Sequence, residues 1–110
     1  MQKRIHEILN ELGIPASLSG REVLSSAIEL VYKNGKMGMT TELYPILANA
    51  FGLNSAKVER RIRYAIERCF DSTNTEVFKK FFGNTISFES GKLVNSEFIY
   101  GIVQHLKIYG

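Results

Sequence analysis

Apolar positions recur at three- and four-residue intervals along most of the chain, the spacing of one face of an α-helix. Ile5, Ile8, Leu9 and Leu12 form the first such stripe, and Gly13 followed by Pro15 ends it. Ser19 with Glu22 three residues later has the form of a capping box. It predicts a second helix with Val23, Leu24, Ala27, Ile28 and Val31 on its inner face. The glycines of "KNGKMGM", residues 33–39, predict a loop. Thr40 or Thr41 is then expected to cap a third helix, with Pro45 in the first turn, where a missing N–H costs little. Its apolar positions are Leu43, Ile46, Leu47, Ala50 and Phe51.

"GLNS", residues 52–55, supplies a turn glycine and polar caps for a fourth helix, over about residues 55–69. Taking about 100° per residue, Val58, Ile62, Ala65, Ile66 and Cys69 share its inner arc. A short fifth helix, about Asn74 to Phe82, carries Val77, Phe78, Phe81 and Phe82. "GNTISFESGKLV", residues 83–94, alternates briefly at Ile86 and Phe88 and turns at Gly91, as an extended loop or small hairpin would. Asn95 or Ser96 is expected to cap a last helix, with Phe98, Ile99, Ile102, Val103 and Leu106 inward. The expectation is an all-α domain of about six helices, with one irregular or short hairpin excursion.

Length and composition narrow the class. At 110 residues the chain suits one core, hence a single domain over 1–110. Its 45% apolar and 23% charged residues are those of a globular protein rather than a disordered one. No apolar run approaches the roughly 18 residues of a membrane span. The N-terminus mixes charge with apolar positions, unlike a secretory signal, so a cytoplasmic protein is expected. With one cysteine and two distant histidines, neither a disulfide nor a spaced metal-ligand set is available. No metal or cofactor is expected.

Charge then singles out the fourth helix. "SAKVERRIRYAIER" holds Lys57, Arg60, Arg61, Arg63 and Arg68 against Glu59 and Glu67. That surplus of three equals the formal net charge of the whole chain, +3. Arg60, Arg63, Tyr64 and Glu67 fall opposite the core arc, where a partner can reach them. Ala48, Gly52 and Val58 are spaced as in a helix-turn-helix: a small residue at the crossing, a glycine in the turn, and a β-branched residue packing back. In that motif the second helix enters the major groove. Arginine can bond bidentately to guanine there, and a glutamate can accept from cytosine. Charged helix faces are also commonly only solvated, and Glu59–Arg63 and Glu67–Arg63 have the spacing of ordinary intrahelical pairs.

These residues carry a resemblance. "IHEILNELGIPA", "LYPILANAF", "KVERRIRYAIE" and "FGNTISFESGKLVNSEFI" resemble the C-terminal DNA-binding effector domain of the master sporulation response regulator of endospore-forming bacteria. The likeness spans nearly the whole chain, although "KNGKMGM" is a little shorter than the family's usual form. The resemblance implies a six-helix domain that binds duplex DNA and regulates transcription. It also implies operator contacts at Lys57, Glu59, Arg60, Arg63 and Tyr64. The family commonly has arginine at the position of Lys57, alanine at Arg61 and histidine at Tyr64, so a shifted operator preference is expected. It implies contact of the Phe82–Ile86 region with the sigma subunit of RNA polymerase, for which Phe82 and Ile86 are the candidates. It implies head-to-tail pairing on tandem sites, partly through the last helix, with Tyr100 and Tyr109 as candidate interface residues. Core packing for Phe82 and Ile86, and plain surface for the two tyrosines, are equally compatible with the sequence. The family's N-terminal receiver domain has no counterpart in these residues.

The site expected is therefore Glu59, Arg60 and Arg63 at base edges with Tyr64 beside them. Lys57, Arg61 and Arg68 are expected on phosphates, and Ser55 with the first backbone amides of the helix on another. An enzyme is not expected: no nucleophile elbow or paired acids occur, and "SGK" at 90–92 lacks the rest of a phosphate loop. His6 and His105 read as structural and Cys69 as a buried thiol. No membrane or small-molecule partner is expected. The competing function is a helical protein-docking module built on Phe78, Phe81 and Phe82, which salt would separate from DNA binding.

Overall fold

A computed structural model of the chain describes residues 1–83 and 93–110. Among these residues six α-helices and no strand occur: α1 Gln2–Glu11, α2 Ser19–Asn34, α3 Tyr44–Phe51, α4 Ser55–Ser72, α5 Thr75–Phe82 and α6 Asn95–Tyr109. The all-α class read from the periodicity is the class observed. The expected loop or hairpin over 83–94, including Ile86 and "SGK", falls almost wholly outside the described residues.

The apolar stripes become one core. Ile5, Ile8 and Leu9 of α1 and Leu12 at its end are fully buried, and the predicted inner residues of α2, α4 and α6 are buried too. α2 is the central strut, packing on α1, α4 and α6, while α3 lies against α4 and α5 against α6. The first turn of α2 meets the middle of α4 at close range. A Cβ added at Gly20 would stand 2.1 Å from the Arg61 carbonyl oxygen, so only glycine lets the two backbones meet.

Several local expectations are corrected. Leu18, not Ser19, occupies the cap position of α2, and no side-chain cap bond forms. The Ser19–Glu22 capping box is absent because Ser19 is already helical, and Glu22 instead lies 3.9 Å from His6. Neither Thr40 nor Thr41 caps α3. Both lie in a π-helical turn, Met39–Leu43, and the amide of Gly38 just before it donates to Glu42 Oε1 at 2.9 Å. Pro45 sits in the first turn of α3 as expected, and it has no N–H with which to continue an α-ladder backwards.

Of the apolar positions expected for α3, Leu43, which precedes it, and Leu47 are buried, but Ile46, Ala50 and Phe51 are exposed. Tyr44 and Ala48 take the inward places. Ile46 and Ala50 fall outside the arc shared by residues 43, 44, 47 and 48, and Phe51 ends the helix. The 33–39 loop is shorter than expected because α2 runs to Asn34. Met37 is buried, and its carbonyl accepts from Tyr100 Oη at 2.6 Å. Neither Asn95 nor Ser96 caps α6. Val94 holds that position, and its N–H reaches Glu97 Oε1 at 3.3 Å.

Arg21 is the unforeseen member of the core, at 2% exposure. Its guanidinium donates to the carbonyls of Ile14 and His6, to Asn10 Oδ1 and to His6 Nδ1. The fork ties the second helix to both the body and the end of the first. Its spacing from Leu24 and Ile28 placed it on the inner face all along.

Candidate nucleic-acid interface

Residues 44–72 form helix, short turn and helix, an arrangement consistent with a helix-turn-helix. Gly52 has φ 66° and ψ 37°, the left-handed conformation, and Leu53 N–H closes back on the Ala48 carbonyl at 2.8 Å. Val58 is fully buried and Ala48 nearly so, as the spacing predicts. Asn54 caps α4, its Oδ1 accepting from Lys57 N–H at 2.8 Å. Ser55 is thus the first helical residue rather than the cap, half-buried.

The turn and the cap fix how α4 is presented. Its inner arc, from Val58 to Cys69, is sealed in the core. Lys57, Arg60, Arg63, Tyr64, Glu67 and Arg68 are exposed, Tyr64 at 57%. Arg61 is half-buried on the flank that meets α2, beside Gly20. A row of positive side chains therefore runs along the outer face, with Arg61 at its edge.

The face is organised unevenly. Arg63 Nε lies 3.5 Å from Glu59 Oε2, and its guanidinium sits 5.5 Å from the Tyr64 ring centroid. Of the two intrahelical pairs the spacing allowed, Glu59–Arg63 forms and Glu67–Arg63 does not. Among the described residues, Lys57, Arg60, Arg61 and Arg68 make no ion pair. A cleft of about 350 Å³ between the π-helical turn and the first turns of α4 is bordered by Thr40, Ser55, Arg60 and Arg63.

Sequence reasoning missed what stands behind Glu59. Asn95, the first residue of α6, is 8% exposed and points its Nδ2 to Tyr44 Oη at 3.0 Å. The same nitrogen lies 3.2 Å from the Glu59 carbonyl and 3.5 Å from Glu59 Oε2. Burial pushes the Tyr44 hydroxyl above its ordinary proton affinity, so it remains a phenol there. No local signal announces this group, since Asn95 and Glu59 are 36 residues apart.

The remaining candidates separate cleanly. Phe82 is 5% exposed, with its ring 4.8 Å from that of Phe78 and 5.2 Å from that of Phe98. Ile86 lies outside the described residues. Tyr100 is half-buried and bonded to Met37, whereas Tyr109 is 73% exposed at the end of α6. Cys69 is fully buried and its thiol is pushed up to about 12, too high to supply a reactive thiolate. Among the described residues no group of acidic, histidine or cysteine side chains is placed to hold a metal. No helix there is long and apolar enough to cross a membrane.

A family model described as "Sporulation initiation factor Spo0A C terminal" matches residues 5–106, from the first buried isoleucine of α1 to the last buried leucine of α6. That match supports DNA binding and transcription regulation as the general function, and a regulatory rather than a catalytic role. Spanning nearly the whole domain, it shows that the chain belongs to the family of Spo0A C-terminal sporulation effector domains.

Proposed function

We propose that the chain binds duplex DNA sequence-specifically, with the N-terminal half of α4 in the major groove. Arg60, Arg63 and Glu59 read base edges, and Tyr64 packs beside them. Lys57 and Arg68 hold phosphates, joined by Arg61 from the flank and by Ser55 with the first amides of α4. The observation that carries this reading is the outer face of α4. It exposes Lys57, Arg60 and Arg68 with no intramolecular ion pair, while the opposite face is sealed in the core. A helix that needed its charges only for its own stability would pair them along its length.

One such module offers modest affinity, and two on adjacent sites would reinforce each other. The exposed end of α6, at Ile108 and Tyr109, is the surface available for such pairing. A polymerase contact through Phe82 is not part of this reading, because that side chain is enclosed in the core.

The test is Arg63→Ala measured on a duplex selected for tight binding and on a shuffled one. The expected result is a loss of about 1–3 kcal/mol on the selected duplex, with relaxed specificity at the contacted position. An equal loss on both duplexes would reduce Arg63 to a phosphate contact.

A further inference from the structure

Among the described residues, Arg63 is the one arginine on the outer face of α4 that has an ion-pair and a ring partner within the domain. Glu59 Oε2 lies 3.5 Å from its Nε, and the Tyr64 ring centroid lies 5.5 Å from its guanidinium carbon. Glu59 is in turn half-buried, and its side chain is itself held. Asn95 Nδ2 is within 3.5 Å of that same Oε2 and within 3.2 Å of the Glu59 carbonyl. Asn95 is kept in place by Tyr44 Oη at 3.0 Å and by its own burial at the start of α6. The chain Tyr44–Asn95–Glu59–Arg63 therefore begins in α3, passes through α6 and ends on the outer face of α4.

An exposed arginine normally samples many rotamers, and freezing them on DNA lowers affinity. A carboxylate that is itself fixed removes part of that cost, because Arg63 is already directed before DNA arrives. Asn95 has no role as a helix cap, since Val94 occupies that position. Its amide nitrogen is directed to Tyr44 and Glu59.

We propose that Asn95 is a positioning residue for base recognition: it fixes Glu59, which directs Arg63, and so sets sequence discrimination without touching DNA. This rests on the reading of α4 as the base-reading helix. Loss of Asn95 lowers the preference for the correct sequence while leaving the phosphate contacts, and hence non-specific binding and its salt dependence, in place.

The experiment uses Asn95→Ala and Asn95→Asp, the second keeping size and helix-start preference while removing the donor. The free proteins are compared by the Arg63 Nε–H resonance, and the DNA complexes by affinity for selected and shuffled duplexes. Urea unfolding confirms that each variant is folded. The expected result is a moved Nε–H resonance and a roughly tenfold fall in the ratio of selected to shuffled affinity, with an unchanged salt slope. In an Arg63→Ala background, the Asn95 substitutions should no longer alter that ratio. Equal weakening on both duplexes, or the same effect with and without Arg63, would overturn the proposal and make Asn95 merely structural. An Nε–H resonance that stays put would remove the contact itself. A wild-type chain that does not distinguish the two duplexes would instead overturn base reading by α4, and the Asn95 role with it. The two failures are thus told apart.

Discussion

Gly20 lies directly against the main-chain carbonyl of Arg61: a Cβ at Gly20 would sit 2.1 Å from that oxygen and 2.8 Å from its carbon. The central helix and the basic helix thus touch backbone to backbone, and side chains stack only beyond that point. Neither backbone can yield without moving its whole helix. Gly20→Ala should therefore destabilise the domain by roughly 1–3 kcal/mol or more, the range for overpacking a tight core. Urea unfolding without DNA would measure it, and an unchanged midpoint would show the contact to be looser than described.

The cap of α4 gives a milder, local prediction. Asn54 Oδ1 accepts from Lys57 N–H at 2.8 Å, and alanine cannot. Asn54→Ala should lower stability by about 1 kcal/mol, while Asn54→Asp should retain most of it. Thermal unfolding of the three proteins without DNA checks the order.

Arg21 should be among the least replaceable polar residues. Its truncation leaves the buried Ile14 carbonyl without its donor, whereas Asn10 is exposed to water and the His6 carbonyl keeps its place in the α1 ladder. A buried acceptor left unpaired costs about 1–3 kcal/mol, so Arg21→Met should lose about that much despite its added apolarity. Arg21→Lys should not restore it, because an ammonium cannot reach several acceptors as a planar fork does. Urea unfolding curves of both variants decide the matter.

His105 supplies a pH dependence. Its imidazole is buried between the rings of Phe81 and Tyr109, at 4.7 and 4.8 Å. Burial, followed by the nearby charges of Arg4 and Lys80, holds its proton affinity below that of an ordinary histidine, with Glu11 opposing weakly. The unfolded chain then takes up this proton more readily than the folded one. The stabilisation is present above the ordinary histidine range and is lost as pH falls through it. Compared with His105→Phe, the wild type should lose stability between about pH 7 and 5, by at most about 1.4 kcal/mol per pH unit for one proton. Parallel stability curves for the two proteins would contradict this.

Much of the fold was legible because helical periodicity and burial are the same fact seen twice. The inner residues of α1, α2, α4 and α6 were read correctly for that reason, as was the turn at Gly52. The failures have a common cause. Ser19, Thr40, Thr41, Asn95 and Ser96 all have the side chains of helix caps, and none caps its helix. Cap chemistry is local, whereas helix boundaries here follow long-range contacts: α2 meeting α4 at Gly20, and α6 placing Asn95 against Glu59. On the site, exposure of Arg60, Arg63 and Tyr64 followed from period alone. The contact of Asn95 with Tyr44 and with Glu59, the partner of Arg63, did not, because these residues are remote in sequence. Arg21 was overlooked for the opposite reason: its position on the apolar face was visible, but its charge suggested solvent.

The central claim is that α4 reads duplex DNA, and salt tests it most directly. Fluorescence anisotropy of the chain would be followed on selected and shuffled duplexes as salt is raised towards physiological strength. Affinity should fall steeply with salt on both duplexes, as counterion release at Lys57, Arg61 and Arg68 requires, and the selected duplex should stay the tighter at every salt. Binding that ignores salt, or no binding even at low salt, would contradict the account and leave the basic face of α4 to solvent.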